Sequence, residues 1–110
     1  MEAVLIETLR KSLAPWTDTI KAAFVYGSVA RGTDVAESDI DLMVIGDELN
    51  YSDLYTTLQN AECAIGRKIS PIFLSVKDWQ RKASEKGPFI RRVKALPKNF
   101  VIGSELDLDP

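Results

Sequence analysis

Gly27-Ser28-Val29-Ala30-Arg31-Gly32 is followed, after six residues, by Asp39-Ile40-Asp41-Leu42. On a strand, residues i and i+2 share a face, with α-carbons roughly 6.5–7 Å apart. Asp39 and Asp41 therefore converge on one side, while Ile40 and Leu42 turn to the other. Two carboxylates so held suit Mg²⁺, which takes oxygen ligands and leaves positions for water and substrate phosphates. For an Asp-x-Asp pair taken alone, solvated acids at a strand edge are the competing reading. The Gly-Ser step shifts the balance. Gly27 lets a phosphate approach the backbone without a side-chain clash. Ser28 brings a hydroxyl and a backbone N–H to the expected start of a helix, where unpaired donors and the helix dipole favour anions. Arg31 either neutralises phosphate charge or stays in solvent. A polyphosphate site beside a magnesium site is one chemical unit, a nucleoside triphosphate with its metal.

The flanking sequence supplies a frame for that unit. Leu5, Leu9 and Leu13 recur every fourth residue and predict an amphipathic helix over residues 2–13, stopped by Pro15. Residues 20–26 read as a strand that runs into Gly27. A short helix through Ala30 and Arg31 and a polar loop over residues 33–38 are expected next, then a strand over residues 39–45. Leu54, Leu58, Ala61 and Ile65 form one stripe of a helix over residues 51–65, with Gly66 as its stop. Residues 68–74 predict a third strand, placed at an edge or bulge by Pro71. Ser75 and Asp78 resemble a capping box that opens a helix through Trp79 and Ala83. Gly87-Pro88 breaks it, a further helix carries Phe89, Ile90 and Val93, and Phe100–Ile102 closes the sheet. Trp79, Phe89 and Phe100 are expected in the core rather than as base-stacking platforms, and Trp16 is positioned to pack against the first helix.

Composition limits the chemistry. The 110 residues are 45% apolar and 27% charged, enough for one core that buries about two-thirds of the unfolded surface. We expect one domain over residues 1–104 and an acidic tail over residues 105–110. There is no histidine, so histidine bases, histidine metal ligands and Ser-His-Asp triads within the chain are excluded. One cysteine, Cys63, forms no internal disulfide and fits a reducing, cytoplasmic setting. Its side of the helix makes it a peripheral thiol. The longest apolar runs are five residues, too short to span a membrane, and no basic leader is expected. The net charge of −2 conceals an asymmetry: residues 1–66 hold 4 Lys/Arg and 11 Asp/Glu, residues 67–104 hold 10 and 2. Arg81, Lys82, Lys86, Arg91, Arg92, Lys94 and Lys98 are read partly as a solvated helical face and partly as a surface for phosphates or an acidic partner.

Gly-Ser-x-Ala-Arg-Gly followed by Ser-Asp-Ile-Asp-Leu, with twelve residues from Gly27 to Asp39, resembles the signature of the minimal nucleotidyltransferases (MNT) of the DNA polymerase beta-like superfamily. The resemblance covers most of residues 20–103. It implies an α/β fold, a small mixed β-sheet backed by helices. It also implies a Mg²⁺ (or Mn²⁺) site at Asp39 and Asp41, the catalytic pair, and a nucleoside triphosphate, ATP, held by Gly27, Ser28, Arg31 and Ser38. In active relatives the metals assist attack of an acceptor on the α-phosphorus, with release of pyrophosphate. Those relatives carry a third carboxylate on the strand after the long helix. Here Ser70 takes that position, and no acid occurs between Glu62 and Asp78. The departure implies nucleotide binding with weak or no transfer, unless Asp47, Glu48, Asp53 or a partner chain supplies the missing group. Small members of the family pair with an all-helical HEPN toxin, which some neutralise by adenylylation. Three readings therefore compete: a transferase of AMP to a protein acceptor, a weak antitoxin-like subunit, and a nucleotide-binding regulatory module. Direct nucleic-acid binding is not expected, and homo-oligomerisation is left open.

Overall fold

The leucine stripe of residues 5, 9 and 13 is buried along α1 (Glu2–Leu13), and Pro15 ends the helix in a single 3₁₀ turn, Ala14–Trp16. In the computed structural model the described residues are 2–26, 39–84, 93 and 98–104. After α1 come β1 (Ile20–Tyr26), β2 (Ile40–Gly46), α2 (Tyr51–Ile65), β3 (Ile69–Leu74), α3 (Val76–Ser84) and β4 (Lys98–Ile102). The four strands form one mixed sheet in the order β3-β2-β1-β4. β1 is antiparallel to both β2 and β4, and β2 is parallel to β3. This is the α/β arrangement expected from the sequence. The strand bounds differ slightly: β2 starts at Ile40 and β3 at Ile69, one residue later than read, while β4 starts two residues earlier, at Lys98.

The inner strands are apolar on both faces because both faces are covered. Leu5, Leu9 and Leu13 of α1 and Leu54, Leu58 and Ala61 of α2 pack on Ala23, Val25, Ile40, Leu42 and Val44. Trp79 of α3 and Val93 pack on Ala22, Phe24, Tyr26, Met43 and Ile45 of the opposite face. Two bulges adjust the alternation. Lys21 is the extra residue between the Ile20–Gly46 and Ala22–Ile45 pairs, so it turns outward while Ile20 joins the α1 side. Val101 is the extra residue opposite Ala23 and Phe24. The α1 side also holds β4 directly: Arg10 donates through Nε to the Val101 carbonyl at 3.1 Å and through Nη2 to the Phe100 carbonyl at 3.2 Å.

Helix ends follow the residues. Asn50 Oδ1 accepts from the Asp53 N–H at 3.1 Å and opens α2. Gly66 closes it at φ +80°, a left-handed position suited to glycine. Ser75 Oγ accepts from the Asp78 N–H at 3.0 Å, as the capping pattern predicts. Pro71 lies on the edge strand β3, where a missing donor is tolerated. Trp79 is buried, Phe100 packs on Phe24, Trp16 packs against the α1 side, and Cys63 is exposed, all as expected. No described helix is long and apolar enough to cross a membrane. The expected helix after Gly27, the loop over residues 33–38, Phe89, Ile90, Arg91, Arg92, Lys94 and the tail lie outside the described residues.

Trp79 is 2% exposed and is the large side chain with which α3 covers its face. Trp79→Ala is expected to cost about 3–5 kcal/mol of unfolding free energy, read from the denaturation midpoint. A Cβ on Gly46 would run into the Thr19 carbonyl oxygen and lie 2.9 Å from the Ile20 α-carbon. Gly46→Ala is therefore expected to cost about 1–3 kcal/mol by forcing β1 and β2 apart, whereas the same change at an open surface position costs far less.

Candidate active site

Strand alternation places the two aspartates. Ile40 and Leu42 are buried toward α1 and α2, so Asp39 and Asp41 belong to the face that α3 covers further along the sheet. Asp39 stands just before β2 and is exposed, and Asp41 is half-buried within it. The register then adds neighbours. Asp41 is paired with Tyr26 of β1 on one side and Ser70 of β3 on the other. Tyr26 is in turn paired with Lys98 of β4. Lys98, Tyr26, Asp41 and Ser70 thus form one row across all four strands.

Ser70 Oγ donates to Asp39 Oδ2 at 3.0 Å. The serine therefore occupies the strand position next to the acid pair, as its place in the sequence predicts. Burial pushes the Asp41 carboxyl above its usual pKa, and the Asp39 carboxylate adds to that shift. The Tyr26 phenol is also raised, first by burial and then by Asp41. Among the described residues no group of three or more His, Cys, Asp or Glu is arranged to hold a metal. The acidic donors here are two carboxylates, joined by one hydroxyl.

Asp47, Glu48 and Asp53 do not fold back to complete the set. Asp47 follows the far end of β2, and its Oδ1 accepts from the Val76 N–H at 3.3 Å, at the start of α3. Six residues of extended strand separate it from Asp41, roughly 20 Å. Glu48 is the next residue, and Asp53 lies in the first turn of α2 at that same end. Lys98 also departs from expectation, lying on β4 and not on a helical face. Sequence reading left Tyr26 and Lys98 out of the site because only the β1–β4 register brings them to Asp41. Gly27, Ser28, Arg31 and Ser38 lie outside the described residues. The chain enters that segment directly after Tyr26 and leaves it directly before Asp39.

The family described as Polymerase beta, Nucleotidyltransferase matches residues 7–87. Two relatives from Methanocaldococcus jannaschii, whose names provisionally assign them as protein adenylyltransferases, are each 33% identical to the chain. One aligns over 76 residues, 66% of this chain and 68% of the relative. The other aligns over 86 residues, 73% of this chain and 58% of the relative. Among solved structures, a toxin–antitoxin complex with AMP-PNP matches at a TM-score of 0.59 and 16% identity, covering 94% of this chain and 77% of that one. The tri-AMPylated Shewanella oneidensis HEPN toxin in complex with MNT antitoxin matches at 0.59 and 15%, covering 97% and 76%. At those identities the likeness is one of fold. With the match running from α1 into the residues beyond α3, through both aspartates and Ser70, the chain belongs to the polymerase beta nucleotidyltransferase family.

Proposed function

We propose that the chain binds a nucleoside triphosphate, ATP, with Mg²⁺ or Mn²⁺ at Asp39 and Asp41, and transfers AMP slowly to a protein acceptor. The observation that carries this reading is the placement of both aspartates on one face at the start of β2, beside Ser70. Gly27, Ser28, Arg31 and Ser38 are the proposed phosphate and nucleotide contacts. The archaeal relatives' names and the toxin–antitoxin structures support a protein acceptor, and a HEPN-type toxin is the acceptor we propose. The chain then serves as the antitoxin.

The donor set fits a hard divalent cation. Burial first, and the neighbouring Asp39 carboxylate second, disfavour a charged Asp41, and a cation held at the pair would offset both. A bound divalent ion there supplies charge neutralisation of the phosphates and orientation of the α-phosphate. Asp39 and Asp41 hold the ion, and the bond from Ser70 fixes the Asp39 carboxylate. Ser70 is neutral, so it neither takes the acceptor proton as a carboxylate would nor adds charge to the site. That observation favours a second reading, binding without turnover, in which the chain is a nucleotide-responsive regulatory module.

Two measurements test these statements. A carboxyl raised by the fold contributes stability that is full below its unfolded pKa and is lost as pH rises through the folded one. In the absence of metal, Asp41→Asn is therefore expected to raise the thermal midpoint at neutral pH. The gain should vanish in acid, where Asp41 of the wild type is itself neutral. Added Mg²⁺ should stabilise the wild type and leave Asp41→Asn unmoved; equal metal responses would remove the metal from the reading. The second measurement incubates the protein with labelled ATP, Mg²⁺ and the product of the neighbouring gene. Ser70→Asp is expected to speed labelling on the order of 10²-fold, the lower end of what a positioned base contributes. Rapid labelling by the wild type with no gain in Ser70→Asp would refute the slow-transfer reading.

A further inference from the structure

The basic rim of the site comes from β4. We propose that Lys98 is a phosphate-binding residue that grips the distal phosphates of the nucleotide and makes the site select polyphosphates over monophosphates; this rests on the nucleotide reading above and adds to it a residue and a specificity.

Three observations lead there. The first is the row: Lys98 pairs with Tyr26, and Tyr26 pairs with Asp41. Neighbouring strands lie roughly 4.8 Å apart, so the α-carbons of Lys98 and Asp41 are separated by roughly 10 Å. The second is the face. Phe100, two residues after Lys98, packs its ring 5.3 Å from that of Phe24, on the side of the sheet that α3 covers. The bulge of β4 lies beyond Phe100, at Val101, so alternation from Phe100 back to Lys98 is unbroken. Lys98 therefore shares the face of Tyr26 and Asp41. The third is connectivity. The chain leaves β1 after Tyr26 straight into Gly27-Ser28. In sequence, the proposed phosphate contacts Gly27 and Ser28 therefore follow directly on the middle residue of this row.

The chemistry of that spacing is specific. A triphosphate is an extended anion whose metal-bound end lies at Asp39 and Asp41, and its remaining charge needs a second cation a few ångströms away. Tyr26 stands between the two in the row. Lys98 is half-buried, so its stem lies along the sheet while its ammonium can reach an anion above the row. A monophosphate reaches the metal end only and gains nothing from it. A lysine on an edge strand also discourages strand addition, but that role does not depend on which nucleotide is bound.

Calorimetric titration of Mg²⁺–ATP, with AMP measured by competition against a fluorescent ATP analogue, separates these roles. Lys98→Met should lose at least about tenfold in ATP affinity, the worth of one charge-assisted hydrogen bond. Its AMP affinity should stay within about twofold of wild type by the same scale. Lys98→Arg should keep most of the preference, and Lys77→Met, an exposed lysine of α3, should bind like wild type. The thermal midpoint without nucleotide reports folding, and Lys98→Gln replaces Lys98→Met should the latter unfold. Unchanged ATP affinity, or equal losses for ATP and AMP, overturns the assignment of Lys98 while the nucleotide site stands. A wild-type protein that binds no ATP overturns the nucleotide reading, and this assignment with it.

Discussion

β2 is hydrogen-bonded on both sides, and the rest of the site depends on that constraint. Its partners hold Ile40, Leu42 and Val44 in the layer under α1 and α2. A slip of one residue would turn those three side chains to the α3 face and drive the aspartates under α1 and α2. The hydrophobic effect thus sets the orientation of the acids, which themselves contribute nothing to the core. Tyr26 and Ser70 follow, since a strand with both neighbours in register leaves them no other position.

Ser70 changes the site's electrostatics more than its shape. A third carboxylate would add repulsion to the burial and the Asp39 charge that already raise Asp41, and would demand more cation to balance it. A hydroxyl leaves the acid pair intact, donates to one of its oxygens and lowers the negative charge of the row. Set against Lys98 at the other end, the row runs from an ammonium through a phenol and a carboxylate to a hydroxyl. For the function proposed above, that gradient suits holding an anion with its metal better than driving a proton away from an acceptor.

Much of this was legible from the residues. The leucine stripes of α1 and α2 are periodic, Asn50 and Ser75 sit where helix starts need acceptors, and Gly66 stops α2 in a left-handed turn. Asp39, Asp41 and Ser70 could be placed because alternation and one parallel crossover are enough to align them. What could not be read is whatever depends on pairing between distant strands. The bulges at Lys21 and Val101 have no local periodicity of their own, and the role of Asp47 at the start of α3 needs the length of β2 to be known. Lys98 belongs to the same class, for its relation to Asp41 passes through Tyr26 on a strand from the other end of the chain.

The β1–β4 pairing bears on how this protein is made. β4 is the last of the described strands and docks beside β1, and Arg10 reaches across 91 residues to the Val101 carbonyl that helps hold it there. As the chain emerges from a ribosome, β1 and β2 are present long before their sheet can be closed. Until residue 102 is out, one edge of β1, among the most apolar strands of the sequence, has nothing to pair with and stands open to other nascent chains. Synthesis beyond α3 is therefore also a hazard interval, in which the β1 edge is open and the core still lacks Val93 and Val101.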